Sequence, residues 1–199
     1  MSNSLHEYES RLMISEEQYF NIVSFYLSKR PYEKFIQNTN IYFETEDLAL
    51  RRERIVLRVR IINDNYVELT LKEKAQEGDI EINDTLNGNQ IEQLQEGYFP
   101  DGEVKNRLSL LSCPLSSIKQ VAKLNNRRLE IKEEDHLLVI DKNTYGDITD
   151  YNIEVEADNM KVANDILKRY IEKFNLQNND KKYAGKARRA IDEALKNKD

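Results

Sequence analysis

In the stretch LHEYESRLMI, residues 5 to 14, two carboxylates and a guanidinium recur at alternate positions: Glu7, Glu9 and Arg11. Side chains of an extended strand alternate faces, so all three point the same way. The same alternation runs through four further segments. In LRVRI, Arg58 and Arg60 oppose Leu57, Val59 and Ile61; in YVELTLKEK, Glu68, Thr70, Lys72 and Lys74 oppose Val67, Leu69 and Leu71. In RRLEIK, Arg128, Glu130 and Lys132 oppose Leu129 and Ile131; in YNIEVE, Asn152, Glu154 and Glu156 oppose Tyr151, Ile153 and Val155. The ordinary explanation is the wet face of an antiparallel sheet. Two features favour a binding face. Arg, Lys and Glu stand where Thr, Ser and Gln usually dilute a wet face. The signs also segregate, carboxylates mainly on the first and last strands and cations mainly on the middle ones. A polyanion with a divalent metal fits such a face: hard Mg²⁺ or Mn²⁺ takes carboxylate and phosphate oxygens together, and Arg and Lys take the remaining phosphate charge. Closing the sheet into a barrel, with helices over its apolar outside, puts that charge in a lumen.

The elements that must position these residues read as follows. Residues 5 to 13 form a strand, and SEEQYFNIVSFYLSK, 15 to 29, a helix with a Ser15/Gln18 capping box and an apolar stripe of Tyr19, Ile22, Val23, Tyr26 and Leu27. Strands follow at 40–45, 55–62, 66–74 and 79–84, with NDN at 63–65 and QEGD at 76–79 as turns. Residues 89 to 124 read as broken helix, punctuated by Gly97, Pro100, Gly102 and Pro114. Strands return at 127–132, 136–141 and 150–157, and helices at 159–174 and 181–196 close the chain. One α+β domain over residues 1–199, with a largely antiparallel sheet, fits this order.

The chain has 199 residues, 39% apolar and 33% charged, with eleven Tyr and six Phe, a composition that argues against disorder. Its net charge of −6 gives no sign of nucleic-acid binding, and no nucleic-acid partner is expected. Cys113 is alone, which excludes an internal disulfide and a cysteine-based zinc site; a small buried side chain is its expected role. The start, MSNSLHEYES, lacks an apolar signal-type stretch and no run approaches a membrane span, so a cytoplasmic protein without a membrane partner is expected. His6 is out of phase with Glu7 and Glu9, and neither it nor His136 reads as a ligand. Arg127 is expected to point outward, and Tyr42, Tyr145 and Tyr151 to pack rather than stack on ligands. Whether the 15–29 helix packs internally or against a second copy leaves a homodimer open.

EYESR resembles the E-x-E-x-K signature that opens the CYTH superfamily, the triphosphate tunnel metalloenzymes. NIYFET, LRVR, LTLKEK, EIND, NNRRLEI, LLVIDKNTY, DYNIEVE and GKARRA follow in that family's order, over about residues 5 to 190, and the chain looks closest to Firmicutes-type members. The resemblance implies an eight-stranded antiparallel β-barrel, a tunnel with a charged lumen and surrounding helices, that binds a triphosphate-containing small molecule with Mg²⁺ or Mn²⁺. By position, Glu7 and Glu9 resemble metal ligands of the first strand, Glu154 and Glu156 the second acidic pair, and Asp141 a recurrent family acid counted with the metal set. Glu7, Glu9 and Arg11 form the expected catalytic group. Arg58, Arg60, Lys72, Lys74 and Arg128 resemble the phosphate cradle, joined by Lys186 and Arg189 of a C-terminal helix that plugs or lines the tunnel.

Three positions depart from the pattern. Arg11 stands where Lys is usual and will not deprotonate as a base. Asn152 stands where close relatives often have an acid, and Glu44 replaces the Asp of YFDT. The expected activity is metal-dependent hydrolysis of inorganic, nucleoside or thiamine triphosphate by an activated water. The alternatives are a class IV adenylyl cyclase and a non-catalytic polyphosphate- or nucleotide-binding module.

Overall fold

The computed structural model describes residues 4–111, 114–177 and 184–196; Cys113 and the start of the expected final helix lie outside them. Eight strands, β1 (Ser4–Ile14), β2 (Ile36–Glu44), β3 (Ile55–Ile62), β4 (Tyr66–Lys74), β5 (Asp79–Thr85), β6 (Lys119–Lys132), β7 (Leu137–Tyr145) and β8 (Ile148–Ala157), close into a barrel in the order β1-β5-β4-β3-β2-β6-β7-β8. Every pairing is antiparallel. Closure makes β1 a neighbour of β8, so the first and last strands, far apart in sequence, lie side by side.

The period-2 pattern decides what faces where. Leu57, Val59, Leu69 and Leu71 point outward and are covered by Leu50 of α2 (Ala49–Arg52), by Phe99, and by Val104 and Leu108 of α4 (Glu103–Leu108), with α3 (Gly88–Gln95) beside them. Leu129, Ile131, Leu138, Ile140, Ile153 and Val155 point outward on the other side, under α1 (Glu16–Lys29) and α5 (Met160–Lys173). Ser15 caps α1 with the expected reciprocal Gln18 bonds, and Tyr19, Ile22, Val23 and Tyr26 are its buried stripe. The oil therefore lies outside the barrel and the charge inside, the inverse of a small barrel filled by apolar side chains. His6 is exposed, and Arg127 points outward and stacks on Phe35 at 3.7 Å.

β2 starts at Ile36 rather than at 40 and β7 runs on to Tyr145 rather than ending at 141, and two larger differences from the sequence reading stand beside these. Broken helix was expected up to residue 124, but β6 begins at Lys119 and runs for 14 residues. Its first half turns Ala122 and Leu124 inward, where Ala190 and Ile191 of α6 (Lys186–Lys196) pack on them together with Tyr42 and Tyr145. There the apolar residues hold the lumen-facing positions while Lys123 and Asn125 face out, so the alternation runs in the opposite phase to that of Leu129 and Ile131. The short α2 was also missed. It is nucleated by Glu44, 2% exposed, whose carboxylate accepts the backbone N–H groups of Thr45, Leu50 and Arg51 at 2.8 to 2.9 Å.

Gly78 fixes the entry of β5 beside β1. Its φ is +70°, and a Cβ there would lie 2.3 Å from the Glu7 carbonyl oxygen. Gly97 also has positive φ, +91°, but open space around it. Gly97→Ala should therefore cost only left-handed strain, about 1–2 kcal/mol, and Gly78→Ala clearly more, because backbone must also move. Urea unfolding of the two variants measures the difference; equal losses would contradict the close approach.

Candidate functional site

One cavity of about 380 Å³ occupies the barrel lumen. The register aligns its acidic wall: Glu9 pairs with Glu156, Arg11 with Glu154, and Glu7 with Asp79. One ligand oxygen each from Glu9, Glu154 and Glu156 lies within 4.8 Å of the others, the group of three acidic residues among the described residues placed to hold a metal ion. An all-carboxylate donor set suits a hard divalent cation rather than a soft one.

The three carboxylates are not equivalent. Glu154 is 1% exposed and receives Arg11, Arg128 at 3.4 Å and Lys186 at 2.7 Å. Burial alone would raise its pKa, but these three cations outweigh it and hold the carboxyl well below the usual range. Glu156 lacks such compensation. Burial, reinforced by Glu7, Glu154 and Glu9 against the pull of Arg128, pushes it up to about 7. The corner thus carries a surplus of negative charge, which a cation would relieve.

Cations face this corner across the lumen. Lys72 Nζ lies 2.8 Å from Glu7, 3.3 Å from Asp79 and 3.9 Å from Glu9. Burial works against its charge, yet Glu9 and Glu7 lift its pKa above the ordinary lysine value. Lys74 pairs with Asp79 at 3.0 Å, Arg58 with Glu81 at 3.6 Å, and Arg60 with Glu68. The Arg58 Nε–H is buried with no hydrogen-bond partner. An orphaned guanidinium donor in a cavity wall is what an anionic ligand would satisfy. Arg11 bridges Glu154 and Glu9, the latter at 2.6 Å, and those carboxylates raise its pKa despite burial, so it is a fixed cation that orients both.

Of the residues singled out in the sequence, Glu7, Glu9, Arg11, Arg58, Arg60, Lys72, Lys74, Arg128, Glu154, Glu156 and Lys186 line this cavity. Asp141 and Arg189 do not. Asp141 is fully buried behind the lining, where it pairs with Arg128 at 3.0 Å and Lys186 at 2.6 Å, and it stands outside the three-carboxylate cluster. Arg189 ties α6 to Asp150 at 2.8 Å. Asn152 is buried among polar groups, accepting from Asn143 at 2.9 Å and donating to Asp141 at 3.3 Å. Tyr42 lines the cavity but is 2% exposed. The expected segregation of signs is less clean than the sequence indicated. β5 adds Asp79 and Glu81 among the cations, because a half-buried cation needs a nearby counter-charge. Their signal was present: in DIEIND, Asp79, Glu81 and Asn83 alternate with Ile80 and Ile82.

The CYTH domain family matches residues 5–183, and the chain belongs to that family. It is 30% identical over 176 residues to a Bacillus subtilis protein named "Putative triphosphatase YjbK", covering 88% of this chain and 90% of that one. A crystal structure from Bacillus halodurans, described as a "putative adenylate cyclase", superposes with a TM-score of 0.83 at 28% identity over 94% of this chain and 97% of that one. A Hippeastrum protein, described as a "putative adenylyl cyclase" that reveals a dominant triphosphatase activity, shares the fold at 20% identity and a TM-score of 0.66, over 85% of this chain and 88% of its own. No helix among the described residues is long and apolar enough to cross a membrane.

The raised pKa of Glu156 has a signed consequence. Its folded value of about 7 exceeds its ordinary 4.5, so the native state binds this proton more tightly than the unfolded chain. Its contribution to stability is present below pH 4.5 and is lost as pH rises towards 7. Thermal melts should show that decline, Glu156→Gln should remove it, and added Mn²⁺ should raise Tm more at pH 8 than at pH 6. Melts of wild type and variant with the same pH dependence would contradict the assignment.

Proposed function

We propose that this CYTH-domain protein is a divalent-metal-dependent triphosphatase, with inorganic triphosphate as the substrate its lumen suits best. The observation that carries this reading is one cavity in which three metal-competent carboxylates face a set of arginines and lysines. Among the described residues Tyr42 is the one aromatic side chain in the lining, and its ring is buried, so those residues offer no flat face to a nucleobase or a thiamine ring. The triphosphate group is what the lining addresses; any organic part would stay outside.

Glu9 and Glu156, with Glu154 beside them, would hold Mg²⁺ or Mn²⁺, which supplies charge neutralisation and a bound water of lowered pKa. Arg58, Arg60, Lys72 and Arg128 hold phosphate oxygens, and the unpartnered Arg58 Nε–H gains its acceptor. Lys186 and Arg11 keep Glu154 oriented. In the reaction a water oxygen bonds to the terminal phosphorus and the bridging P–O bond breaks, so triphosphate and water give diphosphate and phosphate. The same cations neutralise charge that develops on the bridging oxygen. Rate depends on how much better they fit that charge than the ground state. The cytoplasm is the expected place of this activity.

A panel of inorganic triphosphate, ATP and thiamine triphosphate, each with Mg²⁺ or Mn²⁺ and with products identified, tests the reading. Free phosphate, fastest from inorganic triphosphate, is expected. Cyclic AMP from ATP would assign a cyclase, and tight binding without product a binding module. The double variant Glu7→Gln/Glu9→Gln should fold normally and lose on the order of a hundredfold or more in kcat/KM; persistent metal-dependent turnover would remove these carboxylates from the mechanism.

A further inference from the structure

Arg54 is a cation that sequence reading passed over, and two independent features set it apart. The first is electrostatic. It lines the lumen cavity, yet among the described residues no carboxylate lies within ion-pair distance of its guanidinium. Each of the other lining cations, by contrast, has an ion pair of 3.6 Å or shorter. The second is conformational. Arg54 follows the cap of α2 with φ of +60°, its N–H bonded to the Arg51 carbonyl at 3.1 Å and its own carbonyl accepting from Lys74 at 3.2 Å. At that position a helix ends most easily with glycine, and any Cβ brings left-handed strain. The chain instead carries its longest cationic side chain there, exposed at the edge of the cavity and joined through backbone to Lys74, which is itself half exposed.

We propose that Arg54 is a rim residue of the anion site: its guanidinium captures the outermost phosphate of a linear phosphate chain as the chain enters. The inference rests on the triphosphate reading of the lumen. The inner cations must exchange a carboxylate for a phosphate when ligand binds. Among the described residues Arg54 has no partner to give up, so its contact with an incoming phosphate is opposed there only by solvent and salt. Because it is exposed, its contribution is screened and depends on ionic strength. A guanidinium fork also suits a terminal phosphate, which presents several oxygens at once.

The test is calorimetric titration of the protein in Mg²⁺ with a methylene-bridged, non-hydrolysable analogue of inorganic triphosphate, at low and at high salt. Wild type is compared with Arg54→Gly, Arg54→Asn, Arg54→Lys and, as a control for net charge, Lys123→Ala on the outer face of β6. Arg54→Gly should weaken binding about fivefold to tenfold at low salt, the effect of losing one charge-assisted contact, and less at high salt. It should melt no lower than wild type, because glycine relieves the strain. Arg54→Asn, which also tolerates the left-handed region, should weaken binding alike; Arg54→Lys should keep most of it, and Lys123→Ala all of it. Wild-type affinity in the glycine and asparagine variants would overturn the proposal while leaving the triphosphate reading intact, and so would an equal loss in Lys123→Ala. Failure of wild type itself to bind the analogue would remove both. Binding without turnover leaves the Arg54 result interpretable, because its readout is affinity.

Discussion

Three cations drawn from three parts of the chain converge on one buried carboxylate. Arg11 of β1, Arg128 of β6 and Lys186 of α6 all reach Glu154, whose side chain is 1% exposed. A carboxylate so far from water is tolerable only with such partners, and removing one partner of a buried pair typically costs about 3–5 kcal/mol. The rest of the inverted barrel follows from the same constraint. Each charge turned inward needs an opposite charge within reach. Closure of β1 onto β8 supplies it for Glu154, β5 supplies it for Lys72, Lys74 and Arg58, and Asp141 supports Arg128 and Lys186 from behind. The C-terminal helix is thereby part of the lumen, fastened by Lys186 at the carboxylate and Arg189 at Asp150.

On the proposed reading, this charge matching also explains why metal and phosphate belong together in the lumen. Without ligand, the carboxylates and cations inside the rim neutralise one another, except at Glu156, where negative charge is in surplus. A phosphate chain alone would draw the cations away and leave the carboxylates exposed to one another. A divalent cation alone would do the reverse to Lys72 and Arg11. Entering together, the cation takes the carboxylates and the phosphate takes the arginines and lysines, so every buried charge keeps a partner.

Much of this was legible in the sequence because a closed sheet has a strict period of two. Glu7, Glu9, Arg58, Arg60, Lys72, Arg128, Glu154 and Glu156 were placed on one face by alternation, and the family motifs supplied their order. What was not legible obeys other rules. The first half of β6 turns its apolar side inward to α6, so Ala122 and Leu124 reverse the phase set by Leu129 and Ile131 and break the strand's pattern in two. Arg54 sits in a turn, where no period exists. Asp141 and Glu154 share one face and one chemistry in the sequence, yet Glu154 edges the cavity and Asp141 lies behind it; depth depends on barrel tilt, which alternation does not encode. The Glu44 departure likewise has a structural account, since its carboxylate caps α2 instead of entering the lumen network.

The central claim is that a metal ion and a phosphate chain share the inside of the barrel. Crystals grown with Mn²⁺ and inorganic triphosphate, measured for anomalous scattering from manganese, test it most directly. The account predicts an anomalous peak in contact with oxygens of Glu9 and Glu156, with phosphate density extending from it to Arg58. Manganese and anion bound only outside the barrel, with the ion pairs of Lys72 and Arg11 undisturbed, would contradict it.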